Sequence, residues 1–348
     1  MKLTVVTTTY NQEKYIGQAI DGMLMQKTSF PFQIVISNDS STDRTGDILK
    51  EYEEKYPDKI KIINNEKNLG AMGNFINTLA SIKDTEYVAL CDGDDFWTDE
   101  NKLQKQVDFL DNNKEFNICF HKAKLFYENN EKEESIIPEN TEEETTIEDL
   151  VNSNYIVANS VVYRWKFNNK DLKEIFPSDI APGDYYVHLL HAQDGKIKML
   201  NEVMSAYRRH EGGMWWSNDA KNKEQFTLEY GRKFLNFYNA ADTHMKLPEN
   251  AFYAQRKDII YNIIVTYTKN DKLDEIEKVI TSKKDKEIFK TCMKDIIDRN
   301  IWFLDYLINK EDEEKKLQEE RKEAERTKEE LEKIKNSRWW KLRNLIKK

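Results

Sequence analysis

Cysteine is scarce in this chain of 348 residues: only Cys91, Cys119 and Cys292, far apart. They have neither the paired spacing of a zinc site nor the density of a disulfide scaffold, so a reducing compartment is expected. Long apolar runs are missing too. The N-terminal stretch MKLTVVTTTYNQ turns polar too soon for a signal-peptide core and is far short of a membrane span, so nothing here is expected to cross a bilayer. There is also no excess of basic charge. Lys and Arg number 54 against 63 Asp and Glu, a formal net charge of -9, which argues against nucleic acid as a partner because phosphate contacts need a basic face. At 39% hydrophobic residues, the chain can bury a core for one large or two medium domains.

Up to about Phe126, short β-rich runs alternate with longer helical patterns, as βαβ units on a parallel sheet do. The expected strands are Lys2 to Thr7, Phe32 to Ser37, Lys59 to Asn64 and Tyr87 to Leu90. The expected helices are Glu13 to Gln26, Thr42 to Lys55 and Met72 to Ile82, with STDRT supplying N-caps. From Glu128 to Glu144 the chain is acidic and reads as a solvated loop. A second mixed region spans 147–218, and a helical region 219–310 follows, with few glycines or prolines. Residues 311–348 form a charged helical tail. Leu317, Ala324 and Leu331 lie seven apart in it, a weak coiled-coil seam, and an isolated charged helix is the favoured reading.

Ligands of parallel α/β sheets bind at the carboxyl ends of the strands, where the polar clusters TTTYNQ, SNDSSTD and CDGDD all fall. In EYVALCDGDDFW, a buried strand delivers Asp92, Asp94 and Asp95 to one place, and Gly93 permits the tight turn between them. Like charges this close resist desolvation unless a cation or ligand joins them. Hard oxygen ligands suit Mg²⁺ or Mn²⁺. Capping of the next helix by Asp94, Asp95 and Asp99 is the alternative, and the cluster alone does not decide between the two.

The ordered segments VVTTTYNQEKYIGQAIDGMLMQ, IVISNDSSTDRTGDIL, NEKNLGAMGNF and YVALCDGDDFW, with GDYYVHLL and YRRHEGG beyond, resemble the inverting family-2 glycosyltransferases of the GT-A fold. The resemblance implies an α/β chain with a Rossmann-like mixed sheet flanked by helices, a 1–218 glycosyltransferase domain whose 1–126 part binds nucleotide-sugar, and a 147–218 acceptor part. It implies Thr8 and Tyr10 at the uracil, Asp39 on the base, and Asn68 and Asn74 at the following loop and helix start. Asp92 and Asp94 match the DXD motif, with Asp92 serving the ribose or metal and Asp94 the metal. Asp184 matches the general base, Arg208 and Arg209 the diphosphate contacts, and His210 a further metal ligand. The implied cofactor is Mn²⁺ or Mg²⁺, with the nucleotide-sugar, a UDP-sugar donor, as co-substrate. The acceptor would be a glycan or lipid-linked saccharide. Two positions depart from the pattern: Ala71, Met72 and Gly73 replace a frequent basic residue, and Gly183 replaces a frequent second acid.

His188 and His191 read as packing or surface residues, and Asp43 as a helix cap. Trp215 and Trp216, after Gly212 and Gly213, suggest a loop closing over the donor. The end NSRWWKLRNLIKK, with five basic residues, no acid and interleaved tryptophans, suits an anionic membrane surface, although docking on the acidic body competes with this. The expected location is cytoplasmic, peripheral to the inner face of the membrane, and self-association is left open. A sugar-nucleotide pyrophosphorylase and an inactive glycan-binding scaffold are the rival readings. TTTYNQEKY lacks the Gly-rich, Arg-containing loop of the first, and the intact acids count against the second.

Overall fold

The computed structural model describes residues 1–129, 132–168, 172–177, 179–213, 223–270 and 272–336. In its first part, β1 (Leu3–Thr9), α1 (Ile16–Leu24), β2 (Phe32–Asn38), α2 (Thr45–Lys55), β3 (Ile60–Asn64), α3 (Gly70–Ala80) and β4 (Tyr87–Leu90) alternate as the apolar periodicity predicts. The strand β4 falls where expected. β1 runs two residues further than read, so Thr8 lies within the strand. α1 starts three residues later, because the Gln12 carbonyl turns back to accept the N–H groups of Tyr15 and Ile16. The left-handed backbone of Asn11 sets this turn, a conformation asparagine tolerates.

After β4 come β5 (Phe96–Trp97), α4 (Lys102–Asn112), β6 (Phe116–Tyr127), β7 (Ser135–Ile137), β8 (Glu144–Thr145), α5 (Ile147–Leu150), β9 (Val162–Arg164), α6 (Leu172–Ile175), α7 (Gly183–Ala192) and β10 (Lys196–Arg209). One sheet runs β3-β2-β1-β4-β9-β6-β10-β5, with β7 beside β6 and β8 beside β10. The strands β3, β2, β1 and β4 are parallel. β9 is antiparallel to both β4 and β6, and β10 runs parallel to β6, so the sheet is mixed. The acidic stretch read as a loop contributes β7 and the start of β8, because β6 and β10 are long enough to offer pairing edges beyond the core strands.

The core lies between the sheet and the helices α1 and α4, where Ile16, Ile20, Met23, Leu103 and Val107 meet Val5, Ile34, Tyr87 and Cys119. Beyond the sheet, α8 (Lys223–His244), α9 (Tyr253–Lys269), α10 (Leu273–Val279) and α11 (Lys283–Asn336) supply the helical region. Contacts divide the chain into Met1–Ile288 and Phe289–Lys348. Within the second unit, α11 stays helical through the charged stretch, and Leu317 and Leu331 are half exposed. Among the described residues no helix is long and apolar enough to cross a membrane. The basic-aromatic segment from Arg338 to Lys348 and the pair Trp215 and Trp216 lie outside the described residues.

Candidate active site

The loop after β4 continues alongside β1, since Cys91 donates its N–H to the Val6 carbonyl and Gly93 donates to Thr8. This approach is so close that a Cβ on Gly93 would sit 2.4 Å from Gln12 Oε1 and 3.0 Å from the Thr9 side chain. Only glycine fits there without rearrangement. Asp92 and Asp94 emerge on either side of it. Thr8 donates its hydroxyl to Asp92 Oδ1 at 3.3 Å. Burial first, then the negative charges of Asp94 and Asp184, push the Asp92 carboxyl up to about 7. Three carboxylates, two from this loop and one from α7, therefore share one neighbourhood.

Asp94 faces the end of β10: its Oδ2 lies 3.0 Å from His210 Nε2, and both side chains are mostly buried. The His210 ring rests against Tyr15, with centroids 4.6 Å apart. The Gly212 N–H lies 3.2 Å from Nδ1. Asp95 turns the other way and is buried. Its Oδ1 accepts from the Arg208 N–H and its Oδ2 from the Asn159 amide, each at 2.9 Å. Asn159 also takes the Ser205 hydroxyl and donates to the Ala206 carbonyl. Asp95 and Asn159 thus fasten the end of β10, which carries His210, to the loop that carries Asp94. From sequence, Asp95 is a member of the acidic cluster or a helix cap, and Asn159 carries no signal, because a contact 64 residues away leaves no local pattern.

At the end of β2, Asp39 is buried and its Oδ1 accepts from the Asn65 amide and the Leu69 N–H, both at 2.8 Å. It holds the loop leading into α3. Asn74 is also buried, bonded to Ser37 and Asn65, and it ties α3 to β2. Asn68 is exposed and accepts the N–H of Gly70, whose left-handed backbone opens α3. Tyr10 is 46% exposed. It borders a cavity of about 540 Å³ with Lys14, Asp43, Glu128 and His210. Asp43 accepts the N–H groups of Thr45 and Glu13, one residue ahead of Arg44, which is the N-cap of α2.

Asp184 lies in the first turn of α7. Burial pushes its carboxyl up to about 6, while nearby backbone N–H groups hold it back. Its side chain still exposes 27% of its surface, enough for a substrate hydroxyl to reach it. The two departures from the family pattern meet here: a Cβ on Gly183 would come 2.6 Å from Met72 Sδ, so the missing side chain leaves the space that Met72 fills. His188 and His191 are both fully buried, not at the surface.

The two arginines differ. The Arg208 guanidinium donates from Nε to the Asp94 carbonyl and from Nη2 to Gln18, and lies over the rings of Tyr15, Phe96 and Phe126. Arg209 has a buried Nε with no hydrogen-bond partner among the described residues. Among those residues no three His, Cys, Asp or Glu side chains form a closed metal cage. Asp94 and His210 nonetheless present two donors toward one point, and the crowded acids around them are what a cation would relieve, so these residues fit a hard divalent metal that takes its other ligands from a substrate.

A mixed sheet whose parallel half ends in this acidic loop, with a carboxylate facing it from a later helix, defines a GT-A α/β protein. Residues 4–170 match the model "Glycosyl transferase family 2", and the chain carries a domain of that family. An uncharacterized protein of Mycobacterium tuberculosis is 40% identical over 215 residues, 62% of this chain and 61% of that protein; this chain therefore spans about three fifths of that relative's length. Among solved structures, residues 1–349 of Staphylococcus aureus TarS in complex with UDP-GlcNAc match with a TM-score of 0.51 at 18% identity, covering 86% of this chain and 92% of that one. The mannosyltransferase PcManGT from Pyrobaculum calidifontis, in complex with GDP-Man and Mn²⁺, matches with a TM-score of 0.51 at 14% identity, covering 83% and 79%. At those identities the likeness is one of fold.

Proposed function

We propose that this protein is an inverting, metal-dependent glycosyltransferase that moves a sugar from a nucleotide-diphosphate donor, a UDP-sugar, to a glycan or lipid-linked acceptor of the cell surface. The observation that carries the reading is the gathering of Asp92, Asp94 and Asp184 at the carboxyl end of β4, where Asp92 feels the charge of both other acids. Two of the fold neighbours carry a nucleotide-sugar, and one of them Mn²⁺ as well.

In this reading Tyr10 offers its ring to the base. Asp39, with Asn68 and Asn74 behind it, shapes the loop beside the base, and Asp92 with Thr8 meets the ribose. Asp94 and His210 hold Mn²⁺ or Mg²⁺, which when bound neutralises charge growing on the leaving diphosphate. Arg209, with its unspent donor, meets the same diphosphate, and Arg208 keeps the loop in place. Asp184 takes the proton from the acceptor hydroxyl as its oxygen attacks the anomeric carbon. The bond to the diphosphate breaks on the opposite face, which inverts the configuration. The anionic inner face of the membrane is the proposed location, reached through the basic segment from Arg338 to Lys348.

Incubation with a panel of UDP- and GDP-sugars and Mn²⁺, with nucleoside diphosphate release as the readout, tests the reading. Release from one or a few donors that stops on adding EDTA is expected. No release from any donor, together with no binding of UDP or GDP, would refute it.

A further inference from the structure

His188 is a buried group to which the mechanism above gives no part. It follows Asp184 by four residues on α7, so the two side chains share one face of the helix. Nδ1 lies 2.5 Å from the Tyr163 hydroxyl. Nε2 lies 4.0 Å from Asp184 Oδ2 and has no hydrogen-bond partner within ordinary length among the described residues. Burial holds the imidazole neutral, so it carries a single N–H.

Which nitrogen bears that proton follows from the neighbours. Burial keeps the Tyr163 phenol protonated and so able to donate. With Nδ1 turned to Tyr163, the proton belongs on Nε2, the nitrogen that faces Asp184. His191 is the contrast on the same helix: its Nδ1 bonds the Val187 carbonyl, and its ring stacks on Tyr163 and Trp165, a packing role.

We propose that His188 is a positioning residue for the general base, with Tyr163 setting its tautomer and its Nε2–H orienting the Asp184 carboxylate toward the acceptor hydroxyl. Such contacts are commonly long in the free enzyme and tighten once substrate is bound. A positioned carboxylate changes the chemical step and leaves donor binding alone, so the signature is a fall in kcat at constant KM. The inference rests on the reading of Asp184 as the base.

The test is steady-state release of UDP from UDP-GlcNAc, UDP-glucose or UDP-galactose, whichever the donor screen selects, with Mn²⁺, for four variants of the full chain. His188→Leu keeps the apolar packing and removes the N–H; kcat is expected to fall about tenfold with the donor KM unchanged. His188→Gln places an amide N–H near the position of Nε2 and is expected to restore most of the loss. Equal losses in Leu and Gln, a loss shared with KM, or no loss at all would overturn the proposal. Should His188→Leu fail to fold, Tyr163→Phe decides, because it keeps the ring and frees the tautomer. A fall of about threefold in kcat at constant KM supports the proposal and an unchanged kcat overturns it. Asp184→Asn separates this failure from that of the underlying reading. If Asp184→Asn turns over normally, the base is elsewhere; if it is inactive while His188→Leu is normal, only the positioning role is lost.

Discussion

Asp184 holds its proton more tightly than an ordinary carboxyl because burial disfavours its charged form. A general base must be ionised to work, so turnover is expected in full above about pH 7 and to fall as pH drops through about 6, the value to which burial pushes this group. A pH–rate profile with its acidic limb near 4 would point to an unburied base. The effect on stability has the opposite sense: the unfolded chain ionises this carboxyl more readily, so its share of stability is complete below about pH 4 and is lost as pH rises toward 6. Replacing Asp184 by Asn keeps the shape and removes the basicity. Turnover should fall about 10²-fold or more while donor affinity stays nearly constant, which single-turnover kinetics and donor titration would establish. Motif order and resemblance singled out Asp92, Asp94, Asp184 and His210, and the fold brings the three acids into one neighbourhood and His210 against Asp94. The different surroundings of Arg208 and Arg209 left no signal in the sequence: three rings from Tyr15, Phe96 and Phe126 engage the first, and those rings come together only in the fold.

At the scale of elements, the apolar runs of β1, β2 and β4 were plain, since strands buried on both faces read as continuous apolar stretches. The two short strands β7 and β8 were hidden in acidic sequence, because their pairing comes from the long neighbours β6 and β10 rather than from their own side chains. A comparable tertiary constraint governs α1. A Cβ on Gly22 would lie 2.9 Å from the Trp97 backbone nitrogen and 3.0 Å from its carbonyl oxygen. Backbone cannot yield as a flexible side chain does, so Gly22→Ala should destabilise the protein by about 1–3 kcal/mol despite alanine's better helix propensity. Urea denaturation would show this as a lower midpoint at unchanged slope. An unchanged or raised midpoint would mean that α1 and β5 are free to separate. Because β5 follows directly on Asp94 and Asp95, the same variant is expected to weaken nucleotide binding, reporting how firmly α1 braces the acidic loop.

For the whole molecule, residues 338–348 carry five basic side chains and no acid, after a helix that runs to Asn336. Each basic residue near an anionic surface contributes on the order of 1 kcal/mol before ordering costs. The full chain should therefore float with anionic liposomes and release with salt, while a chain ending at Asn336 should not float. Equal recovery of the two would assign the basic segment to packing or self-association. The central claim, that the acidic loop after β4 binds a nucleotide-diphosphate through a divalent cation, is tested most directly by calorimetric titration of UDP with and without Mn²⁺, into the wild-type protein and Asp94→Ala. Mn²⁺-dependent binding to the wild type is expected, with its loss in a variant that remains folded by circular dichroism. Equal UDP affinity in the two proteins with Mn²⁺ present would contradict it.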